Sequence, residues 1–347
     1  MSTDEQYMLR ALYLAKLGSS NVAPNPLVGA CIVHNNIIIG EGYHEKFGDP
    51  HAEVNAINSV RNKELLKEAT IYVTLEPCAH FGKTPPCANL LIEYKLKRAV
   101  IGMKDPFALV DGKGIKILEN AGIGVTVGVL EDKARMLNKR FITYHTKKRP
   151  YITLKWAETE NGFIAPLENS NEIFWISQPE TQIITHKLRS TEQAILVGRK
   201  TIQKDNPSLT TRAIKGTNPI RIVLDPELKL NNSYSVYGKV GKIIVLNKVK
   251  NDEIANCSFV KLIDFSTSSI LDAIYKQGIN SVLIEGGTNT LQHFIDANSW
   301  DEALVIKGKM TLETGMPAPF FQNKPNKITH FKNDILCEFT NLLSDIE

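Results

Sequence analysis

Apolar residues along this chain recur at two spacings, one helical and one alternating, and the two kinds of segment follow each other repeatedly. The first helical stripe follows Ser2 or Thr3, either of which can cap a helix when Glu5 or Gln6 stands three residues on. Its apolar positions are Met8, Ala11, Leu12 and Ala15, and Gly18 ends it. We therefore predict an amphipathic helix at the start of the chain.

Short apolar runs and helical patterns alternate over the rest of the sequence. Asn35 and Asn36 tolerate a tight turn and predict a hairpin between two such runs. In the first half we predict strands at residues 31–33, 37–39, 70–75, 99–101 and 125–127, and helices at 51–60, 87–94, 115–120 and 131–146. In the second half we predict strands at residues 151–156, 194–197, 220–224, 242–246 and 281–284, and helices at 180–188, 268–275 and 291–298. This alternation is typical of α/β layer folds.

Length and composition indicate two ordinary globular domains. The chain has 347 residues, 43% of them hydrophobic, and a charged run at residues 147–150 suggests a junction. We place the domains at residues 1–147 and 148–347. No apolar stretch is long enough to span a membrane, and residues 1–6 lack the pattern of a secretory signal, so we expect a cytoplasmic protein.

The net charge of +4 argues against a nucleic-acid-binding surface, which needs a clustered basic stripe. Local basic residues can still bind a phosphorylated small molecule. We therefore expect a small-molecule substrate and neither a nucleic-acid nor a membrane partner.

Residues 51–87 carry a candidate catalytic metal site. The order is His51, Glu53, Cys78 preceded by proline, and Cys87, which is the order of the zinc deaminases. Imidazole and thiolates suit zinc, and three protein ligands leave a fourth position for water, whose pKa the metal lowers. Glu53 stands two residues after His51 at a helix start, where it can exchange protons with that water without being a ligand.

Other interpretations of this segment remain open from the residues alone. Cys78 and Cys87 could form a disulfide, although a chain without an export signal disfavours one. His80 could close the site as a fourth protein ligand and make it structural. Eight residues separate the two cysteines, where the common deaminase form has two. Cys31, Cys257 and Cys337 lie scattered and are expected to be buried apolar residues.

A second polar cluster lies in the other half. A strand runs into Glu285, Gly286 and Gly287 before a helical pattern, which places backbone N–H groups where a phosphate can bind. The polar segments 198–201 and 205–212 add arginines that can clamp anions. Taken alone, these glycines could equally form a tight turn, and residues 205–207 a helix cap followed by a turn.

Together these segments resemble the bifunctional riboflavin-biosynthesis deaminase-reductase family over nearly the full length of the chain. In the first half the resemblance rests on residues 24–30, 42–44, 48–53, 74–78 and 82–87, including the long cysteine spacing. In the second half it rests on residues 154–157, 175–177, 188–190, 198–201, 205–212 and 285–287.

This resemblance implies an N-terminal cytidine-deaminase-like three-layer α/β/α domain and a C-terminal dihydrofolate-reductase-like α/β domain. It implies zinc-dependent removal of the 2-amino group of 2,5-diamino-6-(5-phosphoribosylamino)pyrimidin-4(3H)-one. NADPH-dependent reduction of the ribosyl group to ribityl follows, giving 5-amino-6-(5-phosphoribitylamino)uracil. The family also implies a homodimer, because reductase domains of this type tend to pair.

The resemblance further implies a role for individual residues. The implied zinc ligands are His51, Cys78 and Cys87, with Glu53 as catalytic acid and base, and the implied deaminase substrate contacts are Asn25, His44 and Lys83. The implied cofactor contacts are Ala157, Trp175, Thr201, Asp205, Gly287, Thr288, Asn289, Thr290, Leu291, Gln292 and His293. The implied contacts of the reductase substrate are Arg189, Leu209, Arg212 and Glu285.

The chain departs from the family pattern in three places. Phe107-Ala108 stands where the family usually has Asn-Pro, Thr159-Glu160-Asn161-Gly162 replaces Ser-Leu-Asp-Gly, and the loop before Trp175 is longer. The Asn161 change motivates a rival hypothesis, an active deaminase joined to a degenerate reductase. Two further rivals are a nucleic-acid base deaminase, which lacks support in the charge pattern, and a non-catalytic zinc-stabilised module.

Overall fold

The computed structural model describes residues 1–79, 85–107, 110–167, 174–238 and 240–341. The chain forms two compact units, Met1–Lys148 and Arg149–Glu347. No helix within the described residues is long and apolar enough to cross a membrane.

The first unit is a sheet with helices on both faces. Its helices are α1 (Thr3–Leu17), α2 (Ala52–Ser59), α3 (Cys87–Glu93), α4 (Lys113–Asn120), α5 (Glu131–Leu137) and α6 (Lys139–Lys147), with short 3-10 turns at Ser19–Val22 and Lys63–Glu68. Its strands are β1 (Gly29–His34), β2 (Ile37–Tyr43), β3 (Thr70–Val73), β4 (Arg98–Ile101) and β5 (Gly124–Val127). Among the described residues the strand order is β2-β1-β3-β4-β5.

Alternate residues of the strands supply two separate cores. Ile32, Ile71 and Ile101 point toward α2, α3 and α4, while Cys31 and Val100 point toward α1 and α5. Successive side chains of a β-strand point to opposite faces of the sheet, so both faces of one sheet can be buried. The predicted three-layer α/β/α arrangement is confirmed.

The first helix begins as predicted. Ser2 is its N-cap, and the Ser2 and Glu5 side chains each accept the other's backbone N–H, which forms a complete capping box. The predicted hairpin is also present, and Asn35 and Asn36 both adopt positive φ angles in its turn.

The single helix predicted for residues 131–146 is wrong, because two helices occupy this region. They meet at Asn138, whose side-chain amide pairs with the backbone of Leu27: its Oδ1 accepts the Leu27 N–H at 2.8 Å, and its Nδ2 donates to the Leu27 carbonyl at 2.9 Å. These two bonds hold Asn138 in a non-helical conformation and divide α5 from α6. Helical periodicity alone gave no sign of this long-range pairing.

The second unit is built on one long mixed sheet. Its strands are β6 (Tyr151–Glu158), β7 (Phe163–Ala165), β8 (Ala194–Gly198), β9 (Ile220–Leu224), β10 (Ile243–Asn247), β11 (Asp252–Ile254), β12 (Cys257–Lys261), β13 (Ser281–Ile284), β14 (Glu302–Gly308), β15 (Met316–Pro317), β16 (Lys327–Phe331) and β17 (Asp334–Thr340). Its helices are α7 (Pro179–Thr191), α8 (Arg199–Asp205), α9 (Thr267–Lys276) and α10 (Thr288–Asp296), with a 3-10 turn at Ser235–Tyr237.

Within the described residues the long sheet has the order β11-β12-β10-β9-β8-β13-β6-β14-β17-β16. Its central strands, β12 to β14 in this order, pair in parallel, and the strands at both edges pair antiparallel. Parallel strands bring their carboxyl ends to one edge, where ligands bind in open α/β sheets. Here β8 and β13 are neighbours, so α8 and α10, which follow them, begin side by side.

Every strand and helix predicted for the second half is present, with ends shifted by a few residues. We did not predict β14 and β17, although Ala303 to Ile306 form a buried apolar run in β14. These two strands pair with each other over their whole length, and β14 also pairs with β6. The apolar run of β14 could have indicated a strand, but the pairing of partners so far apart in sequence leaves no local signal.

Candidate active sites

The three predicted metal ligands lie together in the first unit. His51 is the N-cap of α2, Cys87 is the first residue of α3, and Cys78 follows β3. The Nδ1 atom of His51 lies 3.6 Å from Cys78 Sγ and 3.3 Å from Cys87 Sγ, and all three ligand atoms lie within 4.8 Å of one another. Zinc bonds of about 2.0–2.3 Å in a tetrahedron separate nitrogen and sulfur ligands by about 3.5 Å. The three side chains therefore fit a zinc ion.

Among the described residues, no fourth side chain of histidine, cysteine, aspartate or glutamate joins these three. An open position of this kind is the feature that distinguishes catalytic from structural zinc sites. His80, the candidate for a closing ligand, lies outside the described residues. All five cysteines are free thiols, which excludes the disulfide interpretation, and Cys31, Cys257 and Cys337 are buried as expected.

The helix start of α2 holds Glu53 beside the ligands. Glu53 is 3% exposed, and burial raises the pKa of its carboxyl to about 7, with the negative charge of Cys78 adding to the effect. A divalent cation at the three ligands would oppose the contribution of that thiolate. A buried carboxyl next to a metal site and outside the ligand set can serve as a proton carrier.

Hydrogen bonds from neighbouring groups favour the thiolate form of Cys78. Its pKa is lowered to about 4, because the Cys87 thiol and then His51 donate to its sulfur and outweigh burial. The backbone N–H of Cys87 also donates to Cys78 Sγ at 3.3 Å. A deprotonated thiol is the form that binds metal.

Asn25 and His44 form a pair at the same site. The carbonyl of Pro50 accepts from His44 Nδ1 at 3.1 Å, so the proton of a neutral His44 is on Nδ1. His44 Nε2 then accepts from the amide nitrogen of Asn25, also at 3.1 Å. This chain of bonds fixes the orientation of the Asn25 amide, and the rings of His44 and His51 meet edge to face at 5.6 Å.

Lys83 and Phe107 are two further residues of the first unit that the sequence singled out. Lys83, the predicted phosphate contact, lies outside the described residues. Phe107, which departs from the family pattern, packs its ring on His145 of α6 at 4.7 Å between centroids. The substituted side chain therefore attaches its loop to a helix of the same unit.

In the second unit, Arg189 and Glu285 form a buried ion pair. Arg189 lies near the end of α7, and Glu285 directly follows β13. The guanidinium binds both carboxylate oxygens, at 3.1 Å and 2.6 Å. Burial by itself would raise the pKa of Glu285, but Arg189 and then Lys155 outweigh it and hold that pKa below its usual value.

Lys155 belongs to the segment 154–157 on which the resemblance rests, but no role is predicted for it from the sequence. It lies on β6, and burial lowers the pKa of its ammonium group, an effect that Glu285 partly offsets. A lysine inside the apolar run of residues 151–156 is the signal that could have identified it, because such a strand rarely buries an unpaired charge.

The loop after α8 carries the other predicted substrate contacts. The backbone N–H of Arg212 donates to Nδ1 of His186, a buried residue of α7 that sequence reasoning missed. The guanidinium of Arg212 is exposed and reaches Ser208. Leu209 has a positive φ angle and a buried side chain, so only its backbone is available to a ligand.

The predicted cofactor turn joins the starts of α8 and α10. The Thr201 hydroxyl accepts the N–H of Gly287 at 3.0 Å, and Gly287 is the N-cap of α10. A Cβ atom on Gly198 would lie 2.7 Å from Thr290 Oγ1, and one on Gly286 would lie 2.6 Å from Thr290 Cβ. This close approach favours glycine at both positions, because any larger residue would displace the Thr290 side chain. The resulting cradle, at the N-terminus of α10, suits a phosphate of a dinucleotide cofactor.

The remaining predicted cofactor contacts occupy varied environments. Thr288 donates to the Pro317 carbonyl, and Gln292 bonds Asp296 and the backbone of Phe320. Ala157 and Thr290 are half-buried, whereas Asp205, Asn289 and His293 are exposed, as is Trp175 with 51% of its surface accessible. Leu291 is fully buried in the core of the unit, so its side chain is not available to a cofactor.

Asn161 has a structural partner of its own. Its Nδ2 donates to the Leu312 carbonyl at 2.6 Å, and its Oδ1 accepts the Leu312 N–H at 3.2 Å. An aspartate at this position could not donate the first of these bonds. The longer loop before Trp175 lies mostly outside the described residues.

Each half of the chain matches a known protein family. Residues 1–103 match the family model of the cytidine and deoxycytidylate deaminase zinc-binding region, and residues 150–335 match the RibD C-terminal domain. The second match covers more than half of the chain. The chain belongs to the RibD family of riboflavin biosynthesis proteins.

Relatives match along both domains. The riboflavin biosynthesis protein RibD of Aquifex aeolicus is 42% identical, over 90% of this chain and 89% of its own length. That of Escherichia coli K12 is 35% identical, over 87% and 86% respectively. The crystal structure of the deaminase/reductase of Thermotoga maritima has a TM-score of 0.89 at 37% identity, covering 97% of this chain and 98% of that one.

These matches confirm the expected fold class, with a deaminase-like first domain and a RibD reductase domain second. The protein is a bifunctional enzyme of riboflavin biosynthesis, a hydrolase that deaminates and an oxidoreductase, and its substrate is a small molecule. Its cofactors are zinc and NADPH. The nucleic-acid deaminase and the non-catalytic zinc module are thereby excluded.

Proposed function

We propose that His51, Cys78 and Cys87 hold the zinc ion and that Glu53 is the catalytic acid and base of the deaminase. The observation that carries this proposal is the convergence of the three ligand atoms within 4.8 Å, with a buried carboxyl beside them. Zinc at this site supplies a Lewis acid that lowers the pKa of a water molecule toward neutrality.

Glu53 then has two successive tasks. It accepts a proton from the attacking water and passes it to a ring nitrogen of the pyrimidine. It then takes the second proton from the hydroxyl now bonded to the ring carbon and delivers it to the departing amino group, so that ammonia leaves and the oxygen of water remains as a carbonyl. The substrate is 2,5-diamino-6-(5-phosphoribosylamino)pyrimidin-4(3H)-one.

Asn25 and His44 position that substrate, and Lys83 contacts its phosphate. Because the Asn25 amide nitrogen donates to His44, its carbonyl oxygen is left to accept from the substrate. A pyrimidine amino group or ring N–H is a suitable donor. The hydrogen-bonded pair supports a positioning role for both residues.

In the second domain, NADPH supplies the hydride that reduces the ribosyl carbon. Thr201, Asp205 and the turn at residues 287–293, with Ala157 and Trp175, are the proposed cofactor contacts. Arg189, Leu209, Arg212 and Glu285 are the proposed substrate contacts. Support comes from the adjacent starts of α8 and α10, joined by the Thr201–Gly287 hydrogen bond.

The proposed domain limits are residues 1–147 for the deaminase and 148–347 for the reductase. The boundary of the two compact units after Lys148 and the start of the second family match at residue 150 support this division. A homodimer and a cytoplasmic location are also proposed. Light scattering on the purified protein would test the dimer.

Metal analysis combined with ammonia release tests the zinc proposal. Replacing any one of His51, Cys78 or Cys87 by alanine should remove most of the bound zinc and abolish ammonia release. Reduction of the deaminated pyrimidine by NADPH in the same sample should persist. Full zinc occupancy in all three variants would contradict the ligand assignment.

A further inference from the structure

A second buried carboxylate lies near the zinc ligands, two residues before Cys78. Glu76 is 3% exposed, and it accepts four backbone hydrogen bonds from one segment of chain. Its Oε2 accepts the N–H groups of Asp105 at 3.1 Å and Gly112 at 3.0 Å. Its Oε1 accepts those of Gly114 at 3.0 Å and Ile115 at 3.3 Å.

These donors belong to the start of α4 and to the loop before it. Gly112 is the N-cap of α4 and has a φ angle of +84°, so it has no side chain that could cap the helix itself. The first N–H groups of a helix have no partner within the helix, and the helix dipole favours a negative charge there. Glu76 therefore caps α4 from a distant part of the sequence.

The cap brings α4 into direct contact with the segment that leads to the metal ligand. A Cβ atom on Gly114 would lie 2.1 Å from the carbonyl oxygen of Pro77, so the helix backbone touches the residue before Cys78. The backbone N–H of Glu76 also donates to Met103 at 3.0 Å. Beyond Pro77, the carbonyl of Cys78 accepts the N–H of Ala88 at 3.2 Å. The Cys78 backbone is thus held on both sides.

We propose that Glu76 is a positioning residue of the deaminase, which holds the Cys78 ligand in place by capping α4. It does not touch the substrate, and it acts through the Pro77–Cys78 backbone. This proposal rests on the zinc site proposed above. Partners behind a metal ligand typically contribute about 10- to 100-fold to metal affinity or activity.

The test compares Glu76→Gln, Glu76→Asp and Gly114→Ala with a control, Glu119→Gln, which changes an exposed residue of the same helix. Glutamine keeps the size of the side chain but turns an NH₂ group toward two buried N–H donors. Aspartate keeps the charge and the acceptors on a shorter side chain. Gly114→Ala pushes α4 away from Pro77 and leaves Glu76 intact.

Three properties of each full-length variant are measured. They are the rate of zinc transfer to a chelator, the visible spectrum of the Co²⁺-substituted protein, and the kcat and KM of ammonia release. We expect zinc loss about 10- to 100-fold faster in Glu76→Gln and Gly114→Ala, with an altered Co²⁺ spectrum. Glu76→Asp should lie between them and the wild type. Glu119→Gln, and the reductase activity of every variant, should be unchanged.

Two results would overturn the proposal. One is wild-type zinc retention and Co²⁺ spectrum in Glu76→Gln. The other combines two findings: the deaminase domain of Glu76→Gln is unfolded without metal, and Glu76→Asp retains zinc as the wild type does. That combination would assign Glu76 to folding alone. If the wild type itself bound no zinc at His51, Cys78 and Cys87, the failure would belong to the zinc assignment instead.

Discussion

At the scale of single residues, the proposed deaminase site assigns metal binding and proton transfer to different side chains. His51 and Glu53 are two positions apart, yet one is the N-cap of α2 and the other lies inside its first turn. This difference in backbone position directs one side chain to the ligand group and keeps the other in the adjacent buried space. Replacing His51 should therefore affect metal binding, whereas replacing Glu53 should affect proton transfer.

Glu53→Gln should keep its zinc, because the proposed ligand set does not include Glu53. Loss of the proton carrier should lower kcat for ammonia release by about 10²- to 10⁴-fold. Metal content by mass spectrometry, together with the ammonia assay, checks both parts. A variant that lost its zinc would show that the role assigned to Glu53 is wrong.

Thr201→Val should weaken NADPH binding in the second domain. The change removes the hydroxyl that accepts the Gly287 N–H and preserves the shape of the side chain. A hydrogen bond of this kind contributes about 1 kcal/mol, so KM for NADPH should rise about fivefold. Thr191→Val, at a half-buried threonine of α7 whose hydroxyl donates to the Lys187 carbonyl of the same helix, is the matched control. A shift of the tryptophan fluorescence transition to lower urea would point to a folding defect of the second unit instead.

At the scale of elements, the ends of helices and strands are set by contacts far apart in sequence. Asn138 divides α5 from α6 because its amide pairs with Leu27. In the second unit, Arg149 binds both carboxylate oxygens of Asp301 at 2.7 Å, and Asp301 also accepts the N–H of Ile152. Asp301 thereby joins the start of β6 to that of β14.

Asn138→Ala should destabilise the first unit without affecting the second. It removes two hydrogen bonds and leaves the half-buried N–H and carbonyl of Leu27 without these partners, at a cost of about 2 kcal/mol. Ammonia release should be lost at a lower urea concentration than in the wild type. Asn58→Ala, at an exposed position of α2, serves as control. Unchanged resistance to urea would show that the pair with Leu27 contributes little.

Arg149→Met should destabilise the second unit in turn. Removing one partner of a buried ion pair leaves the Asp301 charge uncompensated, which costs about 3 kcal/mol. All three tryptophans of the chain, Trp156, Trp175 and Trp300, lie in this unit, so tryptophan fluorescence reports its unfolding selectively. The fluorescence transition should move to lower urea while ammonia release keeps its wild-type resistance. A shift of both signals together would contradict independent units.

The sequence was sufficient for those features that depend on neighbours along the chain. The capping box at Ser2, the turn at Asn35 and Asn36, and the ligand motif could all be predicted from local chemistry. The Asn138 break, the strands β14 and β17, and the cap that Glu76 places on α4 depend on partners tens of residues away. His186 was missed for the same reason, because its burial is a property of the assembled sheet and helices.

At the scale of the whole molecule, two α/β units with separate cores carry one activity each. The proposed zinc ligands all lie in the first unit, and the proposed cradle for the cofactor lies entirely in the second. Each activity should therefore survive the loss of the other. This independence makes one domain an internal control for changes in the other.

The central claim is that this chain deaminates its substrate before it reduces the product, and one assay tests it most directly. Zinc-loaded full-length protein is given the diaminopyrimidine ribosyl phosphate, and ammonia release and NADPH oxidation are followed in parallel. We predict ammonia without NADPH, and then NADPH oxidation once the cofactor is added. Removing zinc with a chelator should stop the first signal but spare reduction of the deaminated pyrimidine. NADPH oxidation before any ammonia release, or neither signal from zinc-loaded protein, would contradict this account.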